Sequence, residues 1–170
     1  IDFLIKSFSK LTKEINDAVL VIAGQDDGYK RKAKVLAKNL GLHDKVKFTG
    51  SIDGKDKLSA YVDANVLVYP SIFEIFGLVP FEAIMCSTPV IVTDDCGCGE
   101  LIKEAKAGHL VHYGDVEGLK DKILEAFGHP EDCKRMVESG KKYIVKNLSW
   151  DNIAKQMTRA YSEALDTNAG

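Results

Sequence analysis

Two glutamates on either side of a glycine turn are the residues whose types and spacing suggest chemistry. The stretch runs from Glu74 through Phe76, Gly77 and Leu78 to Glu82. A glycine turn that opens a short helix offers backbone N–H groups and the positive helix end to a phosphate. The two carboxylates can then accept hydrogen bonds from hydroxyl groups on either side. A nucleotide diphosphate sugar has this distribution of groups, with an anionic centre and hydroxyl-rich flanks.

Each of these residues also has a plain structural interpretation that the sequence leaves open. Gly77 can serve only as a turn residue with a positive φ angle. Glu82 can cap its own helix, although its apolar neighbours Phe81 and Ile84 indicate that the carboxylate has a partner. Glu74 can be an exposed loop residue. The functional interpretation therefore depends on the combination of the carboxylates with the turn between them.

A second glycine turn, Gly97-Cys98-Gly99-Glu100, also opens a predicted helix. Its amides are candidates for binding sugar hydroxyls or the second phosphate, and a simple strand-to-helix connection is the alternative. Gly24, Thr49 and Pro70 follow other predicted strands. Ligand sites in parallel α/β sheets lie at the C-terminal ends of strands. We therefore expect these segments to converge on one cleft.

The elements that must position these residues alternate between strand and helix along the chain. Apolar runs predict strands at about 19–23, 45–48, 66–69, 89–93 and 109–111. One helix is predicted to begin at residue 2, and others at about 27–40 and 53–64. A helix that follows the first glycine turn is predicted to end at about residue 86, and a short one follows residue 99. The last three are predicted at 115–127, 130–148 and 150–165. The continuous apolar run at 19–23 indicates a strand buried on both faces. The predicted class is α/β, with a Rossmann-like, doubly wound parallel sheet.

Apolar periodicity also predicts which side of each helix is buried. The predicted buried positions are Leu4, Phe8, Leu11 and Ile15, then Val35, Leu36 and Leu40, then Leu58, Tyr61 and Val62. Trp150 follows Ser149, a candidate N-cap, and is expected to pack the last helix against the domain.

Composition limits the classes of function. The 170 residues are 45% hydrophobic, which suits one domain with a substantial core, and the formal net charge of -2 gives no reason to expect nucleic acid. No apolar run approaches the ~20 residues of a membrane span, and no signal peptide is recognisable. We therefore expect a cytoplasmic protein without a transmembrane segment, whose contact with a membrane, if any, is made by another domain.

The cysteines and histidines lack the spacing of metal ligands, so no metal is expected. Cys96 and Cys98 leave a redox-active or metal-binding pair open as an alternative, with reduced thiols favoured.

Taken together, these motifs resemble the C-terminal domain of family-4 retaining glycosyltransferases, which have the GT-B architecture. The resemblance extends over nearly the whole chain. It is carried by Pro70-Ser71, the 74–82 stretch, the 82–91 segment, the Gly97-x-Gly-Glu100 turn, the 21–24 strand end, the 46–50 segment and the Trp150 helix with Tyr161.

The resemblance implies a role for each residue of the first turn. Glu74 would hold the hydroxyls of the donor sugar and help to stabilise positive charge at its anomeric carbon. Glu82 would bind the ribose. Main-chain amides around Phe76, Gly77 and Leu78 would hold the phosphates and the sugar.

The resemblance also implies the ligand and the reaction. The Thr49 region would border the base, and the Gly97 turn would face the sugar. The donor would be a UDP-, GDP- or ADP-sugar, without a metal or other cofactor. A hexosyl group would pass with retention to a saccharide or lipid acceptor, as in polysaccharide biosynthesis.

Residues 1–170 would then be the nucleotide-sugar-binding C-terminal domain of a longer protein. A fold of this type normally has a strand before its first helix, so we expect the first strand to be missing. The N-terminal acceptor-binding domain and the family's basic pair would also lie outside this chain, and Ser87 replaces a common glycine. The chain alone would bind nucleotide weakly and transfer nothing.

Three other classes stay open at this point. A glycosidase would use Glu74 and Glu82 as acid and nucleophile. A GT-B sugar-nucleotide epimerase would share the fold and the ligand. A non-catalytic nucleotide-binding or signalling α/β module is disfavoured, because no strand is followed by Gly-x-Gly-x-x-Gly.

Overall fold

Strands and helices alternate as far as the fifth strand, and three helices follow. The computed structural model describes residues 1–168. The strands are β1 (Leu20–Ala23), β2 (Val46–Gly50), β3 (Leu67–Tyr69), β4 (Val90–Thr93) and β5 (His109–Val111). The helices are α1 (Asp2–Leu11), α2 (Lys30–Asn39), α3 (Gly54–Asp63), α4 (Leu78–Met85), α5 (Gly97–Ala105), α6 (Val116–Gly128), α7 (Pro130–Asn147) and α8 (Trp150–Asn168).

All strand pairs are parallel, and they fall into two groups. β1 pairs with β2, with Leu20 opposite Val46. The other group has the order β3-β4-β5, with Val68 opposite Ile91. Within residues 1–168, no pairing joins β1 to β3. The predicted α/β class with parallel strands is confirmed, and the sheet is interrupted between β1 and β3.

β4 is the most deeply buried strand of the core. Val90, Ile91 and Val92 are completely buried. Side chains alternate between the faces of a strand. Ile91 accordingly joins a core cluster with α1 and α6, whereas Val90 and Val92 join a second cluster with α4 and α5. Helices therefore cover both faces of β4, as expected for a parallel strand.

β1 does not have the predicted burial on both faces. Val19 and Val21 are 57% and 55% exposed, whereas Leu20 and Ile22 pack against the first core cluster. The reason is that one face of the strand is covered and Val21 borders an open cleft. An apolar run shows that a strand can be buried, but not that a neighbour is present to bury it.

The helix faces are predicted correctly in part. Leu4, Phe8 and Leu11 of α1 are buried as expected, and Ile15 packs against the same cluster from beyond the end of the helix.

The predicted buried side is only partly right in two other helices. In α2, Leu36 packs against the first core cluster as predicted, but Val35 and Leu40 are exposed, and the buried residues are the small Ala33 and Ala37. In α3 only Tyr61 of the three predicted residues is buried, because this helix packs mainly against α4 and leaves Leu58 uncovered.

Trp150 is the clearest error in the predicted core. Its side chain is 85% exposed, because the main contact of α8 in the described part of the chain is with α7 and leaves the indole uncovered. Met157 and Tyr161 of the same helix are exposed as well. No helix among residues 1–168 is both long and apolar enough to cross a membrane.

Candidate functional site

Gly77 forms the turn between the loop after β3 and helix α4. It is the N-cap of α4 and has a left-handed backbone, with φ 69° and ψ 88°. A Cβ atom at this position would lie 2.9 Å from Cγ of Glu74 and 3.3 Å from Cβ of Cys98. Glycine is therefore required both by the conformation and by the closeness of the neighbouring side chains.

A tyrosine hydroxyl holds the Glu74 side chain. The hydroxyl of Tyr69, the last residue of β3, donates to Oε2 of Glu74 at 2.7 Å. Burial raises the pKa of Tyr69, and the hydrogen bond to Glu74 raises it further. The tyrosine therefore stays protonated at neutral pH and remains a donor to this carboxylate.

Two residues of α3 hold the Glu82 side chain. Nζ of Lys57 donates to Oε1 at 2.8 Å, and the hydroxyl of Tyr61 donates to Oε2 at 2.9 Å. Burial on its own would raise the pKa of Glu82, but the hydrogen bonds from Lys57 and Tyr61 outweigh burial and lower it. Glu82 is thus ionised at neutral pH. Because its oxygens bond to α3, the interpretation of Glu82 as a cap of its own helix is wrong.

The residues that hold the two carboxylates line one cavity. Tyr61, Tyr69 and Lys57, which hold Glu82 and Glu74, all line a cavity of about 540 Å³ that also reaches Val79 of α4 and the ends of β1 and β3. The structure therefore brings the two predicted carboxylates to the same region of the molecule. Their side chains are half-buried, so they remain accessible to a ligand.

The two glycine turns are locked together. The N–H of Gly97 donates to the carbonyl oxygen of Glu74 at 3.0 Å. A Cβ atom at Gly97 would lie 2.1 Å from the carbonyl oxygen of Ile75. The Gly97 amide thus holds the loop that carries Glu74.

The structure argues against a reactive cysteine pair at this turn. Cys98 is completely buried, and burial raises the pKa of its thiol to about 12. Cys96 is also buried, and its thiol contacts the carbonyl oxygen of Thr93 at 3.5 Å. A buried, protonated thiol is a poor nucleophile and a poor metal ligand.

The other predicted residues lie at the edges of the site. Phe76 packs against Phe81, with ring centroids 5.3 Å apart, and Leu78 is the exposed first residue of α4. Thr49 is exposed, and its hydroxyl donates to the carbonyl oxygen of Gly50 at 2.9 Å. Its neighbour Gly50 lines a smaller cavity of about 190 Å³, but the Thr49 side chain does not. A role for Thr49 beside a base stays a prediction.

Sequence reasoning missed Lys57, Tyr61 and Tyr69. Lys57 and Tyr61 are four residues apart in α3, a spacing that places two side chains on the same face of a helix. That spacing was the available signal for a shared partner. Tyr69 directly precedes Pro70 at the end of a strand, the edge where ligand sites of parallel sheets form.

An exposed cluster unites Asp94, Asp95 and His112. Their ligand atoms all lie within 4.8 Å of one another, with Nδ1 of His112 3.3 Å from Asp94 and 3.1 Å from Asp95. The grouping escaped notice in the sequence because His112 follows the carboxylates only after α5 and β5. Hydrogen bonds among exposed groups account for this arrangement, with His112 bonded to Asp94 and the backbone N–H of Tyr113 donating to Asp95.

The chain is similar to a known protein family and to individual proteins. The profile of a family described as "Glycosyl transferases group 1" matches residues 1–143. An uncharacterized glycosyltransferase of Methanocaldococcus jannaschii is 34% identical over 169 residues, which are 98% of this chain and 42% of that protein.

Solved structures show the same arrangement of elements. Sucrose-phosphate synthase from Thermosynechococcus elongatus has a TM-score of 0.79 and 29% identity, over 96% of this chain and 42% of that one. Anabaena HepE in complex with UDP has a TM-score of 0.82 at 19% identity, over 95% and 44% of the two chains, which shows likeness of fold. The chain therefore spans less than half the length of each of these three proteins.

Proposed function

The chain belongs to the family of group 1 glycosyl transferases, and on this premise we propose that it binds the nucleotide diphosphate sugar donor of a retaining hexosyl transfer. The observation that carries the proposal is the site around Gly77. A left-handed glycine opens α4, and ionisable carboxylates on either side of it are each held by a tyrosine at one cavity.

Glu82 is suited to bind the ribose. A carboxylate offers about four lone-pair positions, of which Lys57 and Tyr61 use two. The remaining positions can accept the two neighbouring hydroxyls of a ribose. Because Lys57 and Tyr61 keep Glu82 ionised and fix its orientation, the ribose meets a prepared acceptor.

The amides at the start of α4 are suited to bind the diphosphate. The first N–H groups of a helix have no partner within the helix, and they carry its positive end. Gly77, the N-cap of α4, lies directly against the Glu74 side chain. A phosphate bound there lies between the sugar at Glu74 and the ribose at Glu82.

Glu74 is suited to the sugar and to the transition state. With Tyr69 on Oε2, its other lone pairs can hold sugar hydroxyls and stabilise positive charge at the anomeric carbon. In the proposed step, the bond from that carbon to the phosphate oxygen breaks, and the electron pair leaves with the nucleoside diphosphate. The acceptor oxygen bonds to the same face, and its proton passes to the leaving phosphate. The α4 amides stabilise the departing charge.

The acceptor side of the reaction belongs to another part of a longer protein. The Methanocaldococcus jannaschii relative is more than twice as long as this chain, which covers 42% of it. We include in the proposal that an N-terminal domain binds the saccharide or lipid acceptor. Residues 1–170 alone then bind the donor without transferring its sugar, and no metal is required.

A glycosidase is the competing enzyme. The lowered pKa of Glu82 is unsuitable for a general acid, so Glu74 would have to be the acid and Glu82 the nucleophile. That assignment gives no role to the left-handed Gly77 and the helix start between the two carboxylates, which suit a phosphate. Release of sugar from an aryl glycoside, or epimerisation of a nucleotide sugar, would favour the two alternative enzymes.

Calorimetric titration tests the proposal. UDP-, GDP- and ADP-glucose are titrated into the protein in buffer with EDTA, and one of them should bind and raise Tm. Glu82→Gln should weaken that binding about tenfold, because it removes an ionised acceptor. Glu131→Gln, on the exposed start of α7, is the matched control and should bind as the unchanged protein does. Absence of binding by all three nucleotide sugars, or equal binding by both variants, would contradict the proposal.

A further inference from the structure

Helix α2 concentrates positive charge on one part of the surface. Its ten residues contain five lysines or arginines and no aspartate or glutamate, although the whole chain has a formal net charge of -2. The rest of the chain is therefore net acidic. The five basic residues are Lys30, Arg31, Lys32, Lys34 and Lys38.

These five side chains have no ion-pair partner within 4 Å among the described residues. Other helices of the protein differ in this respect. Lys122 of α6 pairs with Glu125, and Arg135 of α7 pairs with Asp132. Such pairs at helical spacing neutralise the charge of a solvent-exposed helix. The charge of α2 is therefore available to a partner outside the chain.

Two carboxylates near α2 do not neutralise it. Asp26, in the turn before the helix, interacts electrostatically with Lys30 and Lys34, and Asp2 does so with Lys32. The Asp26 carboxylate already accepts backbone N–H groups at 2.9 and 3.1 Å, so it serves the turn. Two negative charges beside five positive ones leave the helix positive.

The charges of α2 include a row that points away from the protein. Arg31, Lys34 and Lys38 follow one another at helical spacing, so they share one face, and all three are exposed. Ala33 and Ala37, on the other side, are buried in the first core cluster. At 1.5 Å per residue, the row is about 10 Å long. A flat anionic surface can therefore meet all three cations at once.

An exposed valine lies within this row. Val35 is 54% exposed and stands between Lys34 and Lys38 in the helix. The polar backbone of a nucleic acid offers no partner to such a side chain, whereas the headgroup region of a bilayer accommodates cations and apolar groups together. The aromatic rings beside α2, Tyr29 and Phe48, pack against the core, so they do not form a platform for stacked bases.

We propose that the α2 face, formed by Arg31, Lys34, Val35 and Lys38, docks on the anionic surface of a lipid bilayer. The helix lies parallel to the membrane plane, the three cations bind headgroup phosphates, and the valine contacts the apolar edge of the headgroup layer. Clusters of four or more basic residues on a helix are typical of such binding. The contact is made by this chain itself and is reversible, because the apolar side of α2 stays in the protein core.

Helix α7 offers an internal control, because it lies on the opposite side of the sheet. The residues buried by α2 belong to the cluster that contains Ile91, whereas Tyr143 and Ile144 of α7 pack against the cluster that contains Val90 and Val92. Neighbouring residues of β4 face opposite sides. A flat bilayer in contact with α2 therefore does not reach α7.

Co-sedimentation with lipid vesicles tests the proposal. The protein, without nucleotide, is mixed with vesicles of phosphatidylcholine alone or with vesicles that also contain roughly 30% phosphatidylglycerol. We expect binding only to the anionic vesicles. Raising NaCl from about 0.05 to about 0.3 M should abolish this binding, because the Debye length falls from about 14 Å to about 6 Å.

Two triple variants locate the contact. Each charge near an anionic surface strengthens binding about fivefold, so removing three should raise the apparent Kd about a hundredfold. The control removes as many charges from exposed positions of α7 and should change the Kd by less than about twofold, because charges far from the bilayer are screened. The α2 variant is Arg31→Gln, Lys34→Gln and Lys38→Gln. The α7 variant is Lys134→Gln, Lys142→Gln and Lys146→Gln.

A second pair of variants tests the apolar contact. Val35→Ser should weaken vesicle binding about threefold, because less apolar surface leaves water. Val62→Ser, at a valine of α3 that is 65% exposed, should bind as the unchanged protein does. Circular dichroism is measured for every variant, so that loss of folding is distinguished from loss of binding.

Three results would overturn the proposal. The first is no binding to anionic vesicles at low salt, or equal binding to neutral ones. The second is equal weakening by the two triple variants, which would assign binding to overall charge. The third is tighter binding to a DNA duplex of about 20 base pairs, which would assign the α2 face to nucleic acid. Nucleotide is absent throughout, so the outcome is independent of donor binding.

Discussion

Each of the two carboxylates of the site accepts a hydrogen bond from one tyrosine. Tyr61 donates to Glu82, and Tyr69 donates to Glu74, at nearly equal distances of 2.9 and 2.7 Å. Burial raises the pKa of both phenols, so both hydroxyls keep their protons at neutral pH. Each tyrosine is therefore a positioning residue for one end of the proposed donor, and replacement by phenylalanine removes one hydroxyl with little change of shape.

The two phenylalanine variants should separate the ends of the donor. Tyr61→Phe removes one of the two hydrogen bonds that hold Glu82, the proposed ribose acceptor, so it should weaken UDP and UDP-glucose equally, by about tenfold. Tyr69→Phe releases Glu74, so it should leave UDP binding unchanged and weaken UDP-glucose alone. Calorimetry with the nucleotide and with the nucleotide sugar measures the difference. If another base binds better than uracil, its nucleotide and nucleotide sugar are used instead. Equal effects of the two variants on the nucleotide without sugar would contradict this assignment.

At the scale of the elements, the loop before α4 and the start of α5 behave as one unit. The Gly97 amide donates to Glu74, and the backbone of Ile75 fills the space beside Gly97. A methyl group at residue 97 has no room, because the nearest atom is a backbone oxygen rather than a movable side chain. The position of Glu74 thus depends on a residue 23 positions later in the chain.

Alanine at position 97 should therefore harm both stability and the site. We expect Gly97→Ala to lower the free energy of unfolding by about 1–3 kcal/mol, the usual cost of forcing atoms into a filled space. Gly128→Ala, at the end of α6 with open space around it, is the control and should be neutral or slightly stabilising. Urea titration measures both. A Gly97→Ala protein as stable as the control would show that the two turns do not restrain each other.

The sequence predicted the elements better than their surroundings. The strand predicted at 109–111 and the helix predicted from residue 130 agree with β5 and α7, because apolar runs and proline mark their limits locally. Burial depends on elements far away in the chain. Leu58 and Trp150 are apolar at helical spacing, yet no described element covers them.

In the candidate site, too, the residues close together in the sequence were predicted and their distant partners were not. Glu74, Gly77 and Glu82 were found because they lie within nine residues of one another around one turn. Their partners were not found, because Tyr61 and Lys57 precede Glu82 by 21 and 25 residues. Which donors meet a carboxylate depends on how α3 packs against α4, and local sequence patterns contain no information on that packing.

For the whole molecule, the stability should depend on pH through a buried histidine. His109, on β5, is 6% exposed, with Sγ of Cys133 at 3.9 Å and a carboxylate oxygen of Glu125 at 3.8 Å. Burial lowers the pKa of His109, and the nearby Glu125 opposes this only in part. The folded protein therefore favours the neutral imidazole.

This histidine should make the protein less stable in acid. Below pH ~6.5, the unfolded chain takes up a proton that the folded protein does not. The free energy of unfolding should fall, by at most about 1.4 kcal/mol per pH unit, until the lowered pKa of the folded state is reached. His109→Gln should flatten this slope between pH 7 and 5 in urea titrations, and His43→Gln, at an exposed site, should not. An unchanged slope for His109→Gln would assign the pH dependence to other groups.

The interlocked turns have a consequence for protein engineering. Attempts to alter donor preference by random mutagenesis would gain little from Gly77, Gly97 and Gly99, since a side chain at any of these positions would meet atoms of its neighbours. The rim between Thr49 and Lys57 contains exposed side chains without such constraint. Libraries directed to that rim should retain more folded members, and they sample the side of the site proposed to face the base.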